Sequence, residues 1–274
     1  MKFRVTVLVA LGLAASAPAL AATDPGRVTF RGSSGFTTFT LTRVNDDIRA
    51  TREAFLSDTL VQDTRWEPFG GSPNFRIEMD MQLTKIFSAG LGVSSQAGSV
   101  RHEALRVFSV DPSTGEAAEI ESFEQEPRFE AWDLVGTLGL WVPSAPGLNF
   151  GAQLGYVRGT YRTEQTHLLD TFTQLPSMEI ATGTWRGSGV VLGAFTGYER
   201  PVTADLSVYT RIGYRYRRIG RLDGLLTVTT WGDQGNSREW ESGPLTDAKG
   251  HAMPLDISGS YFDVGLTLGF GGGD

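Results

Sequence analysis

Asn74-Phe75-Arg76-Ile77-Glu78-Met79-Asp80-Met81-Gln82-Leu83-Thr84 is the stretch on which the fold turns. Phe75, Ile77, Met79, Met81 and Leu83 alternate with Arg76, Glu78, Asp80, Gln82 and Thr84. Side chains of a strand point to opposite faces with period two, so this segment has one apolar and one charged face. Its length of about ten residues suits a tilted strand crossing a bilayer. A half-buried strand of a soluble sandwich has the same pattern, so repetition along the chain has to decide.

The pattern repeats. Leu148, Phe150, Ala152, Leu154 and Tyr156 alternate with Asn149, Gly151, Gln153 and Gly155. Leu206, Val208, Thr210, Ile212 and Tyr214 alternate with Ser207, Tyr209, Arg211, Gly213 and Arg215. Phe262, Val264, Leu266, Leu268 and Phe270 alternate with Asp263, Gly265, Thr267 and Gly269. Trp132, Leu134, Leu138 and Leu140 oppose Asp133, Val135, Thr137 and Gly139, and Leu91 and Val93 open a further strand. Trp185–Tyr198 is apolar on both faces, and Gly35–Thr42 is a short, Thr-rich first strand. The expectation is eight strands at about 35–43, 74–87, 90–109, 128–142, 147–165, 179–199, 205–229 and 255–270, an even number as bacterial single-chain barrels require.

The connections sort themselves. Turns at Ser88-Ala89, Pro143–Gly147 and Pro201–Asp205 are short, and the connections at 44–73, 110–127, 166–178 and 230–254 are long. Short periplasmic turns alternating with long extracellular loops are the layout of an outer-membrane barrel. The predicted fold is therefore all-β: an eight-stranded antiparallel up-and-down transmembrane β-barrel, with a short helix near 45–60. Asn45-Asp46-Asp47 reads as the cap of that helix, with Ile48, Phe55 and Leu56 as a weak apolar face. The reading preferred for it is a helix lying against the barrel mouth. The alternative is a plug folded into the lumen.

Composition agrees. The chain has 274 residues, 34 Gly and no Cys, which excludes disulfides, thiolate metal sites and a lipid-anchored Cys. Lys2 and Arg4, the apolar run Val5–Leu13 and Ala19-Leu20-Ala21 form a secretory signal with cleavage after Ala21. Residues 1–21 are then leader and 22–274 the barrel domain. Without Lys2 and Arg4, 22 basic residues face 31 acidic ones, and the net charge goes from −7 to −9. Such acidity argues against nucleic acid as a partner.

The terminal strand Tyr261–Phe270 carries Asp263, Gly265, Leu268 and Phe270 in the pattern of a C-terminal assembly signal. In layout and in this strand the chain resembles the small outer-membrane barrels of the OmpA transmembrane domain and OmpX type. The resemblance covers the mature chain at superfamily level. It implies an outer-membrane location, recognition by the barrel-assembly machinery, contact with outer-membrane lipids and lipopolysaccharide, and a monomer. No further domain is expected after the barrel.

With the apolar face toward lipid, the other face gathers Arg76, Glu78, Asp80, Gln82, Asp133, Gln153, Tyr209, Arg211, Arg215, Arg217 and Asp263. An eight-stranded interior is just wide enough for side chains to fill it, and buried charges have to be paired. Arg pairs carboxylates bidentately better than Lys, and the lysines are few: Lys2, Lys85 and Lys249. The expectation is a lumen ion-pair network of Arg76, Glu78, Asp80, Asp133, Arg211, Arg215, Arg217 and Asp263, with Arg211, Arg215 and Arg217 answering Glu78, Asp80 and Asp133. Inward glycines such as Gly151, Gly213 and Gly265 leave room for larger side chains opposite. Tyr156, Tyr198, Tyr214, Tyr216, Trp132, Trp141 and Trp185 are read as interfacial girdles.

Candidate catalytic groups are His102 beside Glu103, His167 near Asp170, and His251 near Asp247, with Ser109, Ser122, Ser177 and Ser242 in the same loops. None forms a recognisable motif. Asp46-Asp47 and Glu119–Glu121 lack calcium-loop spacing. No catalytic residue, metal or cofactor is assigned. The functional expectation is a non-enzymatic outer-membrane barrel with a charged, side-chain-filled lumen, acting structurally or through its extracellular loops. The alternatives are a narrow channel or lateral transporter of small or apolar molecules, hinted at by the short first strand, and a lipid-modifying enzyme using His102 or His167.

Overall fold

The computed structural model describes residues 25–270 other than 40, 57–60, 111–116, 172–173, 233–234 and 248–249. The expected signal segment, with Ala19 and Ala21, lies outside the described residues. Twelve strands and one helix follow in order: β1 (Val28–Thr38), α1 (Thr42–Leu56), β2 (Val61–Arg65), β3 (Gly71–Gln82), β4 (Phe87–Ser99), β5 (His102–Val110), β6 (Ala117–Trp141), β7 (Leu148–Thr171), β8 (Gln174–Pro201), β9 (Leu206–Trp231), β10 (Ser237–Pro244), β11 (Leu255–Asp256) and β12 (Gly259–Phe270).

Eight of these strands close a ring. The antiparallel pairs run β1–β3–β4–β6–β7–β8–β9–β12, and β12 returns to β1. The closing strand is bonded along both edges: Phe30 lies opposite Met79 on one side and Leu268 on the other. Closure leaves no free edge in the ring. The expected eight-stranded barrel is thus observed.

The wall is inverted relative to a water-soluble protein. Ile77, Leu138 and Leu154 are 66–70% exposed on the outside, whereas Arg76 and Glu78 are 1–2% exposed within. An apolar exterior over a charged interior is what a hydrocarbon solvent selects. Phe30, Phe87, Phe150, Tyr198 and Phe270 cluster at the turn end, while Trp132, Tyr156 and Tyr214 bound the apolar band at the other.

The turns at one end are short. Leu83 N–H and Thr84 N–H both donate to Phe87 O, and the Thr84 hydroxyl accepts from Ile86 N–H and Phe87 N–H. The turn is therefore 83–86 rather than Ser88-Ala89, which belong to β4. In the turn before β7, Gly147 has φ +85°, and a Cβ there would collide with Glu199 O. A glycine is required on both counts.

The other end is lopsided. β1, β3, β4 and β12 have 11–13 residues, but β6 to β9 have 24–28. A transmembrane strand uses about 9–11 residues, so more than half of each long strand stands beyond the apolar band. The segments read as the loops 110–127 and 166–178 are largely ladder: β6 and β7 stay paired from Trp141–Asn149 to Glu119–Thr171. Thr160, Thr163, Thr166, Ile180, Thr182, Thr184 and Thr227–Thr230 supply the β-branched residues that favour this extension. β2 and β5 extend it beside β6, and β10 beside β9.

Two strand assignments need correction. The first strand runs 28–38 instead of 35–43, with Phe30 and Phe36 outward and Arg31 inward. The expected strand at 90–109 is two strands, β4 and β5, broken at Val100-Arg101. Val100 N–H donates to Pro127 O there, and a strand residue's N and O point to the same side. The N–H that Pro127 lacks therefore faces the break.

Candidate functional site: a two-storey lumen

The interior has a charged lower storey and an apolar upper one. In the lower storey, Arg76, Glu78, Asp80, Asp133, Arg211, Arg215, Arg217 and Asp263 are all buried and point inward. Arg31 and Glu199 join them. Arg211 Nη1 donates to Glu78 Oε2 at 2.8 Å, and Arg76 Nη2 donates to Glu78 Oε1 at 3.1 Å. Arg215 Nη2 reaches Asp263 Oδ2 at 3.4 Å, and Arg217 Nη1 lies 3.5 Å from Asp133 Oδ2. Arg31 holds Asp80 with Nη1 and Glu199 with Nη2, the latter at 3.1 Å. Asp80 is thus served by Arg31 instead of by the Arg211–Arg217 row. Neutral groups add to the shell: Ser94 Oγ donates to Asp133 at 2.8 Å, Gln153 Oε1 accepts from Arg215 Nε at 3.2 Å, and Thr137 Oγ1 accepts from Arg76 at 3.3 Å.

Among the described residues five buried arginines face five buried carboxylates, so the storey is neutral without bound counter-ions. Two of the guanidinium groups stand over aromatic rings. The Arg211 guanidinium carbon is 4.0 Å from the Phe195 centroid, and that of Arg215 is 3.9 Å from Tyr261. Glycines make space for the rings: a Cβ on Gly151 would collide with Phe195, and one on Gly213 would meet Tyr261 at 2.8 Å. Each stack is therefore glycine, ring, arginine, with a cation–π contact at its top. Two spaces remain at the turn end, about 10 Å³ each, lined by Arg31, Asp80, Ser88 and Trp141 among others. That is room for about one water apiece.

Trp141 and Trp185 are corrections to the girdle expectation. Both face inward, Trp141 beside Arg31 and Trp185 in the upper core.

The upper storey is a hydrophobic core. Inward-facing Val135, Val157, Tyr161, Val191, Ile219 and Leu222 of the wall pack with Leu41, Val44 and Ile48 from α1 and its approach, and with Leu245, Met253, Leu255 and Ile257 from the last long connection. Burial pushes the Tyr161 hydroxyl well above its ordinary range, reinforced by the Asp47 carboxylate. The helix lies on this core at the mouth through Val44 and Ile48, while Arg43, Asp46, Arg49, Arg52 and Glu53 on its other face are exposed. It begins earlier than expected, at Thr42, so Asn45 is inside the first turns. The Asn45 amide instead pairs reciprocally with the Phe69 backbone, donating at 3.0 Å and accepting at 2.9 Å. Ile48 is buried as its apolar face requires; the side chains of Phe55 and Leu56 lie outside those described.

The candidate catalytic residues are dispersed. His102 is fully buried, stacked on Trp66 at 5.0 Å, and its Nε2 donates to Glu67 O at 2.9 Å. His167 Nε2 is 2.5 Å from Glu121 Oε1, and Glu121 Oε2 is 3.1 Å from Arg106 Nε. His251 is exposed, 3.5 Å from Asp247. Among the described residues no serine hydroxyl is hydrogen-bonded to a histidine; the Ser109 side chain lies outside them. Asp46 pairs with Arg49 at 3.5 Å. The gap sought beside the first strand is filled, since β1 is bonded to β3 and β12 over its whole length. Of the terminal-strand residues, Leu268 and Phe270 face outward, Asp263 faces the lumen and Gly265 lies against Tyr209.

The closed register and inverted wall define the class: an eight-stranded antiparallel barrel of the transmembrane type. No protein-family model and no curated protein matches the chain in sequence. Solved structures are similar in fold. The attachment invasion locus protein Ail of Yersinia pestis, in complex with the heparin analogue sucrose octasulfate, aligns over 90% of this chain and 99% of its own at 6% identity and TM-score 0.41. A major outer membrane protein from Thermus thermophilus aligns over 89% and 99% at 12% identity and TM-score 0.41. The outer membrane protease OmpT from Escherichia coli aligns over 90% and 95% at 11% identity and TM-score 0.31. Superpositions this loose add nothing to the register and the wall.

Proposed function

We propose that the protein is a closed outer-membrane barrel, exported by a cleaved leader, whose lumen is a structural strut and whose tall extracellular sheet meets its partners. The observation that carries this reading is the interior. A neutral ion-pair layer lies beneath an apolar core to which α1 adds Val44 and Ile48, and the spaces at its turn end hold about 10 Å³ each. Such an interior resists both water and ions, because any path must displace paired charges and then cross a hydrophobic layer. The work then falls to the part of β6–β10 beyond the membrane. Trp240 stands there on β10 at 73% exposure. The dispersal of His102, His167 and His251 supports a surface-interaction role over histidine-based catalysis.

Location and orientation are tested by labelling, because the chain has no Cys of its own. Trp240→Cys should react with a membrane-impermeant maleimide on intact cells, and Ala204→Cys in the short turn only after permeabilisation. Equal labelling of both, or labelling of Ala204→Cys alone, contradicts the orientation.

A further inference from the structure

Three arginines on the outside of the wall are bonded to no carboxylate among the described residues. Arg158 of β7, Arg186 of β8 and Arg218 of β9 are exposed and, among the described residues, make no ion pair. Arg158 is opposite Trp132 on one side and Ser188 on the other, Arg218 is opposite Val190, and Arg186 is opposite Thr160 and Asp223, whose carboxylate is bonded to Arg221. Arg158 and Arg218 are the first outward side chains above Tyr156 and Tyr216, at the rim of the apolar band. They flank β8 two strand spacings apart and two residues offset along it, about 12 Å between backbones. Arg186 rises between them, two residues above Ser188.

The surroundings are small. The β8–β9 register shifts between Gly187–Leu222 and Gly189–Ile219, so β9 bulges at Gly220-Arg221 opposite Ser188, and Gly220 opens onto free space. Neighbouring arginines differ, in a chain of net charge −7. Arg128 is bonded to Glu126, which holds that carboxyl below its usual range; Arg221 is bonded to Asp223, and Arg162 lies 3.6 Å from Glu130. The Asp223 carboxylate is taken up by Arg221, so Arg158, Arg186 and Arg218 add three cations that no bonded carboxylate neutralises.

We infer that Arg158, Arg186 and Arg218 form a binding site for the phosphorylated headgroup of a lipid in the outer leaflet. The geometry supplies both halves of such a ligand. Guanidinium forks donate to phosphate oxygens bidentately, and directly below them Tyr156, Leu154, Val190, Leu192 and Tyr214 present an apolar track for acyl chains. A soluble anion uses only the upper half. The inference rests on the outer-membrane reading, in which this rim lies at the outer leaflet.

The test uses the refolded full chain in zwitterionic bicelles with diphosphoryl lipid A, and bound lipid is counted by native mass spectrometry. Wild type should retain lipid A, and the Arg158→Ser/Arg186→Ser/Arg218→Ser variant should bind at least about tenfold more weakly. The Arg128→Ser/Arg162→Ser variant, which removes partnered arginines nearby, should bind as wild type does. Should the triple variant fail to fold, Arg218→Gln alone should show a smaller loss in the same direction. Equal retention by wild type and the triple variant, or no loss in Arg218→Gln, overturns the inference. So does displacement of lipid A by inorganic pyrophosphate at equal concentration, which marks a site for free phosphate. A folded wild type that does not partition into lipid vesicles overturns the membrane reading itself, whereas one that inserts without the difference overturns this site alone.

Discussion

Arg215 stands over Tyr261, its guanidinium carbon 3.9 Å from the ring centroid, and hands an N–H to Asp263, two residues along the same strand as Tyr261. One arginine of β9 thereby clamps the face of β12 that fills the lumen, close to where the ring closes. The ring in turn occupies the space that Gly213 leaves.

Replacing Arg215 with Met leaves Asp263 buried without its cation. Breaking a buried pair costs about 3–5 kcal/mol, so unfolding in detergent by heat or urea should shift down clearly. The Arg215→Met/Asp263→Asn double variant should recover part of that loss, because both charges are then gone. An unchanged transition in Arg215→Met contradicts the inward pairing.

Gly213→Val forces Tyr261 and Phe195 away from their places, with the Cβ already within 3 Å of both. Overpacking of this kind costs about 1–3 kcal/mol. Gly136→Ala is the control: its nearest neighbour is a carbonyl at 3.7 Å, an ordinary contact. Equilibrium unfolding should separate the two; equal stability would refute the stacked arrangement.

The helix can be loosened on its own. Asn45→Ala removes two hydrogen bonds to the Phe69 backbone, worth about 1–2 kcal/mol together. Leu41→Ala opens a cavity in the upper core at a cost of about 2–5 kcal/mol. Amide exchange in 42–56 should accelerate in both variants while the β7–β8 ladder stays protected. Uniform acceleration would mean that helix and wall unfold as one unit.

Much of the barrel is written in period two. Phe75–Leu83 declares its faces because lipid demands apolar residues and the lumen tolerates charges, and the two never coincide there. Legibility fails where the interior is apolar as well. Val190 and Val191 point to opposite faces, and both are hydrophobic, one for lipid and one for the upper core. Trp141 and Trp185 are hidden for the same reason: position near a strand end does not say which side a ring takes. Arg31 and Glu199 escape a sequence reading of the network because Gly32 and Ser34 blur the outward face of β1, and because the two apolar faces of β8 leave its orientation open. The partner of Asp80 depends on the closing of β1 between β3 and β12, a tertiary fact without a local signal. The long ladders read as loops because their acidic residues look solvated, and they are, on a sheet standing in water.

The most direct test of the central claim is single-channel conductance of the refolded chain in a planar bilayer, with folding verified by heat-modifiable gel mobility. A neutral ion-pair layer capped by a hydrophobic core predicts a folded, inserted barrel that passes no stepwise current. Steady unit conductance from the same folded protein would contradict it and make the lumen a pore.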